Sequence, residues 1–245
     1  ALLAAANVAT VPAHTRPRVA VISTGDELRD PGTELGHGEI VDSNSLMLVA
    51  LVRAVGAEPV LRARSRDDAD SFRTVLEEAA DAADLVLTTG GVSMGAYDTV
   101  KEVLADSGSV DFAKVAMRPG MPQGNGVIGE RDTPLVTLPG NPLSAMVSFH
   151  VFVLPAIATL QGRDGGADSW RSGAVPVRAG AGWVSVQGKT ELTRVTLRDG
   201  LAWPASGQGS HMVGALADSN ALAIVPPEVT AVAEGDEVAC IPLVG

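Results

Sequence analysis

A single cysteine, Cys240, stands in a chain of 245 residues, so no disulfide can form within it, and no Cys/His spacing suited to zinc occurs. A reduced, cytoplasmic setting is expected. Positive charge is also short. Eighteen Lys and Arg face 29 Asp and Glu, for a formal net charge of −11, which disfavours nucleic acid and anionic membrane as partners. Charged residues are only 19% and aromatics 3%, while 46% of the chain is hydrophobic; this composition excludes disorder and supplies a sizeable core. No basic segment leads the apolar start, so a signal peptide is not expected. The longest apolar stretch, residues 143–160, contains Ser144, Ser148, His150 and Pro155 and reads as a buried helix rather than a membrane span. Internal repeats and low-complexity tracts are absent.

What is present is a rhythm of short apolar runs and amphipathic segments. Residues 18–23, 59–64, 84–89, 110–117 and 135–138 read as strands. Between them lie helices opened by Asp42, Ser43, Asn44 and Ser45, by residues 65–68, and near Asp98. Strand alternating with helix predicts a three-layer α/β/α domain with a mostly parallel sheet over residues 16–162. The seven carboxylates of residues 67–84 fit a solvated helix face. After a polar, Gly-rich linker at 163–172, short alternating runs separated by turns predict a small all-β domain over residues 173–245.

In a parallel sheet, ligands bind at the carboxyl ends of the strands. The loops expected there are 24–27, 66–68, 90–98 and 139–142. Gly90, Gly91, Ser93 and Gly95 make a glycine-rich loop that follows a strand, able to turn tightly and present backbone N–H groups to an anion. Its spacing matches neither a Walker motif nor a dinucleotide fingerprint. Glu27, Asp67 and Asp98 each follow a strand end and are candidate Mg²⁺ ligands, because Mg²⁺ prefers oxygen donors and shares them with substrate phosphates; alone, Asp67 reads as a helix cap. Lys114 and Arg118 place cations at the next strand end, and Pro139, Gly140, Asn141 and Pro142 form a rigid turn at the head of a helix, whose free N–H groups suit an anion. Gly91, Ser93 and Gly95 also fit the G-x-S-x-G nucleophile elbow, with His211 as a possible partner, which keeps a serine hydrolase as a remote alternative.

Taken in order, Ser23-Thr24-Gly25-Asp26-Glu27-Leu28, Asp42-Ser43-Asn44, Arg66-Asp67-Asp68, residues 90–98, Arg118-Pro119-Gly120 and Leu138-Pro139-Gly140-Asn141-Pro142 resemble the molybdopterin molybdenumtransferase family, which includes bacterial MoeA and the E domain of gephyrin. The ordered set spans residues 16–162; Gln208-Gly209-Ser210-His211 and Glu234-Gly235-Asp236 carry a looser likeness in the tail. The resemblance implies insertion of molybdate into adenylylated molybdopterin with release of AMP, dependent on Mg²⁺. It implies catalytic and metal-binding roles for Glu27, Asp67 and Asp98. Substrate contacts are implied for Thr24, Gly25, Gly90, Gly91, Ser93, Gly95, Lys114, Arg118, Pro139, Gly140, Asn141, Pro142, Arg194 and Ser210. It also implies a homodimeric full-length protein, supplied by a molybdopterin adenylyltransferase, with a further N-terminal region of which residues 1–15 are a linker remnant. Met121 stands where some members carry Lys, which predicts weaker anion binding there. Two other readings stay open: a molybdopterin adenylyltransferase, and a non-catalytic molybdopterin-binding or scaffold module.

Overall fold

The structure is a computed structural model that describes residues 1–91, 99–106, 110–163, 165–166, 168–205 and 217–244. A short helix α1 (Leu2–Ala5) precedes strand β1 (Arg18–Thr24) and the two-residue strands β2 (Leu28–Arg29) and β3 (Ile40–Val41). There follow α2 (Ser43–Ala54), β4 (Glu58–Ser65), α3 (Ala69–Ala82), β5 (Leu85–Thr89), α4 (Thr99–Asp106), β6 (Val110–Lys114), β7 (Met117–Arg118), β8 (Pro122–Ile128) and β9 (Thr133–Leu138). A continuous helical rod comes next, made of α5 (Pro142–Ser148), a π-helical segment (Phe149–Val153) and α6 (Leu154–Leu160). A 3-10 turn (Ser169–Arg171) then leads to β10 (Val175–Ala179), β11 (Trp183–Val184), β12 (Thr190–Arg198), β13 (Leu201–Pro204), β14 (Ala221–Val225), β15 (Ala231–Val232) and β16 (Glu237–Pro242).

The first sheet has the order β4-β1-β5-β9-β8-β6. Its first four strands are parallel, β8 runs antiparallel to β9, and β6 runs antiparallel to β8. Alternation along β1 sorts the two helical layers, because successive side chains leave a strand on opposite faces. Val19 and Val21 pack with Leu48, Leu51 and Val52 of α2 and with Val147 and Phe149 of the rod. Ala20 and Ile22 pack with Phe72, Leu76 and Ala79 of α3 and with Val100 and Leu104 of α4. The expected three-layer α/β/α arrangement is therefore present. The acidic stretch is solvated where Glu77, Glu78 and Asp81 point outward from α3.

The second sheet, β13-β10-β16-β14-β12-β7, closes through an added β12–β13 pairing into a small barrel. Strand β14 is buried on both faces. Ala221, Ala223 and Val225 fill the barrel, while Leu222 and Ile224 join the core of the α/β layers. Strand β7 comes from the segment after β6 yet pairs in parallel with β12, so Thr190 lies opposite Met117 and Glu191 opposite Arg118. The strand expected at 110–117 is thus two strands in two different sheets.

The rod Pro142–Leu160 has a mean hydropathy of 1.9, enough in length and composition to cross a membrane, but 61% of its most apolar window is buried. It lies between the two sheets as a core helix, touching β9 on one side and Leu192, Leu222 and Ile241 on the other.

Candidate functional site

Three loops meet at the carboxyl ends of β1, β5 and β9. Thr24 ends β1 and is buried, with its hydroxyl 3.5 Å from the Thr89 carbonyl. Gly90 and Gly91 follow β5 with φ of +92° and +67°. A Cβ on Gly90 would stand 2.7 Å from the Thr24 carbonyl oxygen, so the close approach of these two loops requires glycine. A Cβ on Gly140 would stand 3.4 Å from Gly90 Cα, which brings the third loop into contact with the second.

One side chain ties the second and third of these loops together. Asn44 Nδ2 donates to Thr89 Oγ1 at 2.9 Å and to the Gly140 carbonyl at 2.8 Å, and the Thr89 hydroxyl donates on to the Pro139 carbonyl at 3.2 Å. Sequence reasoning placed Asn44 among helix-capping residues and in the Asp42-Ser43-Asn44 part of the family resemblance, but gave it no role at the site. Asp42 is the cap: its carboxylate accepts from the Ser45 backbone N–H at 3.0 Å and from the hydroxyls of Ser23 at 2.6 Å and Ser45 at 2.7 Å. The signal available was its place in that short run, and capping explained the run without any bond across the fold.

Between these loops lies a cavity of about 110 Å³, lined by Thr24, Glu27, Asn44, Thr89, Gly90, Gly140 and Pro142 among others. Glu27 is exposed at its mouth and its carboxylate folds back over Gly25, where a Cβ would meet Glu27 Oε2 at 2.5 Å. Asp67 is not the cap of α3. That role belongs to Asp68, whose Oδ1 accepts the Ser71 N–H at 2.8 Å. Asp67 instead exchanges two hydrogen bonds with Asp26, accepting its N–H at 3.2 Å and donating its own to Asp26 Oδ1 at 3.4 Å. The 24–27 and 66–68 loops are thereby joined. Among the described residues no three acidic, His or Cys side chains gather closely enough to hold a metal. Asp98, Ser93, Gly95 and Ser210, together with His211, lie outside the described residues.

A second cavity, of about 270 Å³, lies at the seam between the α/β layers and the barrel, lined by Arg118, Pro119, Gly120, Met121, Pro122, Leu143, Ser144, Glu191 and Leu192. Arg118 holds Glu191 loosely, with Nη1 at 3.8 Å from Oε1. Lys114 ends β6, exposed and in the other sheet, so the two cations expected at one strand end are divided between two sheets. Arg194 is fully buried on β12, on the strand face that also carries Leu192, and burial lowers its pKa.

The two cavities are neighbours along one helix. Asn141 caps α5 by accepting the Ser144 N–H at 3.2 Å; Pro142 lines the first cavity, and Leu143 and Ser144 line the second. A cavity with Glu27 at its mouth and a cavity lined by Arg118 and Glu191 are held on either side of the same helical turn.

An open α/β sheet with a crevice at its strand ends is joined to a small β barrel, and the first of these matches a molybdopterin-binding family. The family described as a probable molybdopterin binding domain matches residues 20–159, and the MoeA C-terminal region (domain IV) matches residues 176–243. The chain is 42% identical over 244 residues to Molybdopterin molybdenumtransferase 2 of Mycobacterium tuberculosis, covering 96% of this chain and 59% of that protein. With the Molybdopterin molybdenumtransferase of Nostoc sp. it shares 38% identity over 251 residues, covering 99% of this chain and 57% of the relative. The crystal structure of a molybdopterin biosynthesis MoeA protein from Pyrococcus horikoshii superposes with a TM-score of 0.78 at 32% identity, over 94% of this chain and 55% of that one. The chain belongs to the molybdopterin molybdenumtransferase (MoeA) family, and it spans under three fifths of the length of these relatives.

Proposed function

We propose that this chain carries the substrate-binding core of a molybdopterin molybdenumtransferase, which inserts molybdate into adenylylated molybdopterin with release of AMP. The observation that carries this reading is the pair of cavities flanking the start of α5: Glu27 opens onto one and Arg118 onto the other, with Pro142 and Leu143 as consecutive wall residues. A substrate joined by a phosphoanhydride and an oxyanion co-substrate need such poles close together. The 90–91 backbone and the Asn44-braced turn at 139–142 form the rigid floor of the first cavity, and it is there that the phosphate end of the substrate is held. Pro139, Gly140, Asn141 and Pro142 position this floor rather than react.

Glu27 and Asp67 sit on two loops joined through Asp26, and their hard carboxylate oxygens suit Mg²⁺. With Asp98 they are the residues that would hold it. When bound, Mg²⁺ supplies charge neutralisation at the phosphoanhydride. Arg118, with Arg194 on the adjoining strand, draws the molybdate oxyanion to the seam. A cytoplasmic setting, a homodimeric full-length enzyme and supply of its substrate by a molybdopterin adenylyltransferase belong to the same reading.

The test is AMP release from adenylylated molybdopterin by this chain in the presence of Mg²⁺ and molybdate. Release that requires both ions, and that drops in Glu27→Gln and Asp67→Asn while both variants stay folded, is the expected result. Consumption of ATP with molybdopterin instead would assign an adenylyltransferase. Ester hydrolysis abolished by Ser93→Ala would assign a hydrolase.

A further inference from the structure

The 24–27 loop walls a third cavity on its outer side, beside the edge strand β4. It measures about 440 Å³ and is lined by Gly25, Asp26, Arg29, Arg64, Ser65 and Arg66. Thr24 and Glu27 of the same loop face the strand-end cavity instead. Three arginines against one aspartate reverse the local charge in a chain whose formal net charge is −11.

These arginines differ in what already holds them. Arg29 is satisfied: its Nη1 donates to the Asp26 carbonyl at 2.9 Å and to the Leu28 carbonyl at 2.7 Å, and its Nη2 pairs with Glu39. Arg62, two residues before Arg64 on the same face of β4, is held by Asp30 at 2.8 Å. The Arg64 guanidinium has no such acceptor among the described residues. Arg66 Nε stands 3.9 Å from Asp26 Oδ1 and 3.8 Å from Asp68 Oδ2, beyond hydrogen-bond range. Both of those carboxylates have other partners, since Asp26 Oδ1 accepts the Asp67 N–H at 3.4 Å and Asp68 Oδ1 the Ser71 N–H at 2.8 Å. Arg64 and Arg66 are both exposed, so water hydrates their donors and an anion has only that water to replace.

We propose that Arg64 and Arg66 bind a phosphate dianion in this cavity, either free or as the monoester of a small molecule. A guanidinium presents parallel N–H donors that match two oxygens of a phosphate. Alternate residues of an extended chain stand about 7 Å apart on one side of it, which lets two such forks grip one ion together. The acidic surface as a whole repels anions, so binding here must come from this local pair. The site is separate from the substrate phosphate position on the 90–91 and 139–142 loops and from the seam, and it does not depend on the molybdenumtransferase reading.

The experiment is calorimetric titration of the full chain with inorganic phosphate and, separately, with ribose 5-phosphate. Both are done in an Arg118→Gln background, which removes the exposed cation of the seam. Arg64→Gln and Arg66→Gln should each weaken binding by about tenfold. Arg64→Lys keeps the charge without the fork and should recover only part of that loss. Arg62→Gln removes the same charge from the same strand face, but from a guanidinium already held by Asp30, and should change affinity less than about twofold. Tighter binding of phosphate assigns the free ion to the site, and tighter binding of ribose 5-phosphate assigns a phosphate ester. Affinity unchanged by Arg64→Gln, equal losses in Arg62→Gln and Arg64→Gln, or no binding of either probe overturns the proposal.

Discussion

His150 Nε2 accepts the backbone N–H of Val244 at 3.1 Å, pinning the chain's last strand-end segment to the central helical rod. The other ring nitrogen, Nδ1, lies 2.9 Å from the Met146 carbonyl, so it carries the proton and the ring is neutral. Burial pushes the His150 pKa down. Protonation would leave Nε2 with a hydrogen facing the Val244 N–H.

The unfolded chain binds the proton near pH 6.5 and the folded chain only at lower pH, so below about 6.5 the unfolded state holds more protons. The contribution of His150 is complete above that pH and is lost as the pH falls below it. The melting temperature should decline between pH 7 and pH 5. His150→Leu, already less stable at pH 7, should show a shallower decline across the same interval. Parallel curves for the two proteins would remove His150 as the titrating group.

Asn44 offers a second test, because its amide is the brace between α2 and the two loops that follow β5 and β9. Asn44→Ala leaves the Gly140 carbonyl without that donor and the Thr89 hydroxyl without the amide that donates to it. A loss of about 1–3 kcal/mol in unfolding free energy is expected. Asn44→Asp should be at least as harmful above pH 5, since a carboxylate oxygen would then face the Gly140 carbonyl. Denaturant unfolding of the three proteins measures both, and a loss under about 0.5 kcal/mol for Asn44→Ala would show that the loops hold without the brace.

The parts of the fold legible in the sequence were those whose burial is continuous. Strands β1 and β5 are apolar runs because helices cover both faces, and such runs stand out by composition alone. Strand β8 escaped notice because its sequence, PQGNGVI, lacks that signature. The first of its two glycines is demanded by neighbours: a Cβ on Gly124 would meet Thr137 Oγ1 at 2.5 Å and the Phe112 ring at 2.8 Å. Strand β7, two residues long, exists only through its pairing with a segment more than 70 residues later, which no local pattern encodes. The same distinction holds at the site. Glycine and acid motifs marked the 24–27, 90–91 and 139–142 loops, and these do meet. Asn44 stood within one of the ordered motifs, but its donation to Thr89 and Gly140 is a contact across the fold that the run itself does not encode.

The turn after β5 can be tested by filling it. In Gly91→Ala the new methyl would lie 2.2 Å from Val100 Cγ2, at a φ of +67° that an L side chain rarely adopts. Overpacking and left-handed strain together should cost about 2–5 kcal/mol. Trimming the neighbour separates the two effects: Val100→Ala in the Gly91→Ala background should recover the steric part and leave the backbone part, about 1–2 kcal/mol. A double-mutant cycle that shows simple additivity would mean that α4 moves aside without cost.

The seam loop depends on one amide. Gln123 Nε2 donates to the Gly120 carbonyl at 2.7 Å and to Ser148 Oγ at 2.6 Å, fastening the Arg118-to-Pro122 segment onto α5. The loop has little slack, since a Cβ on Gly120, at φ +94°, would stand 2.8 Å from the same Ser148 hydroxyl. Gln123→Leu fills a similar volume but donates nothing, so the Gly120 carbonyl loses its partner at a cost of about 1–3 kcal/mol. The loop should then sample other positions and carry Arg118 and Met121 with it. Oxyanion affinity at the seam should fall several-fold, whereas AMP binding at the Glu27 cavity should remain, because Asn44 and not Gln123 braces that floor. Equal losses at both sites would show that the start of α5 moves as one unit and that the two cavities cannot be uncoupled.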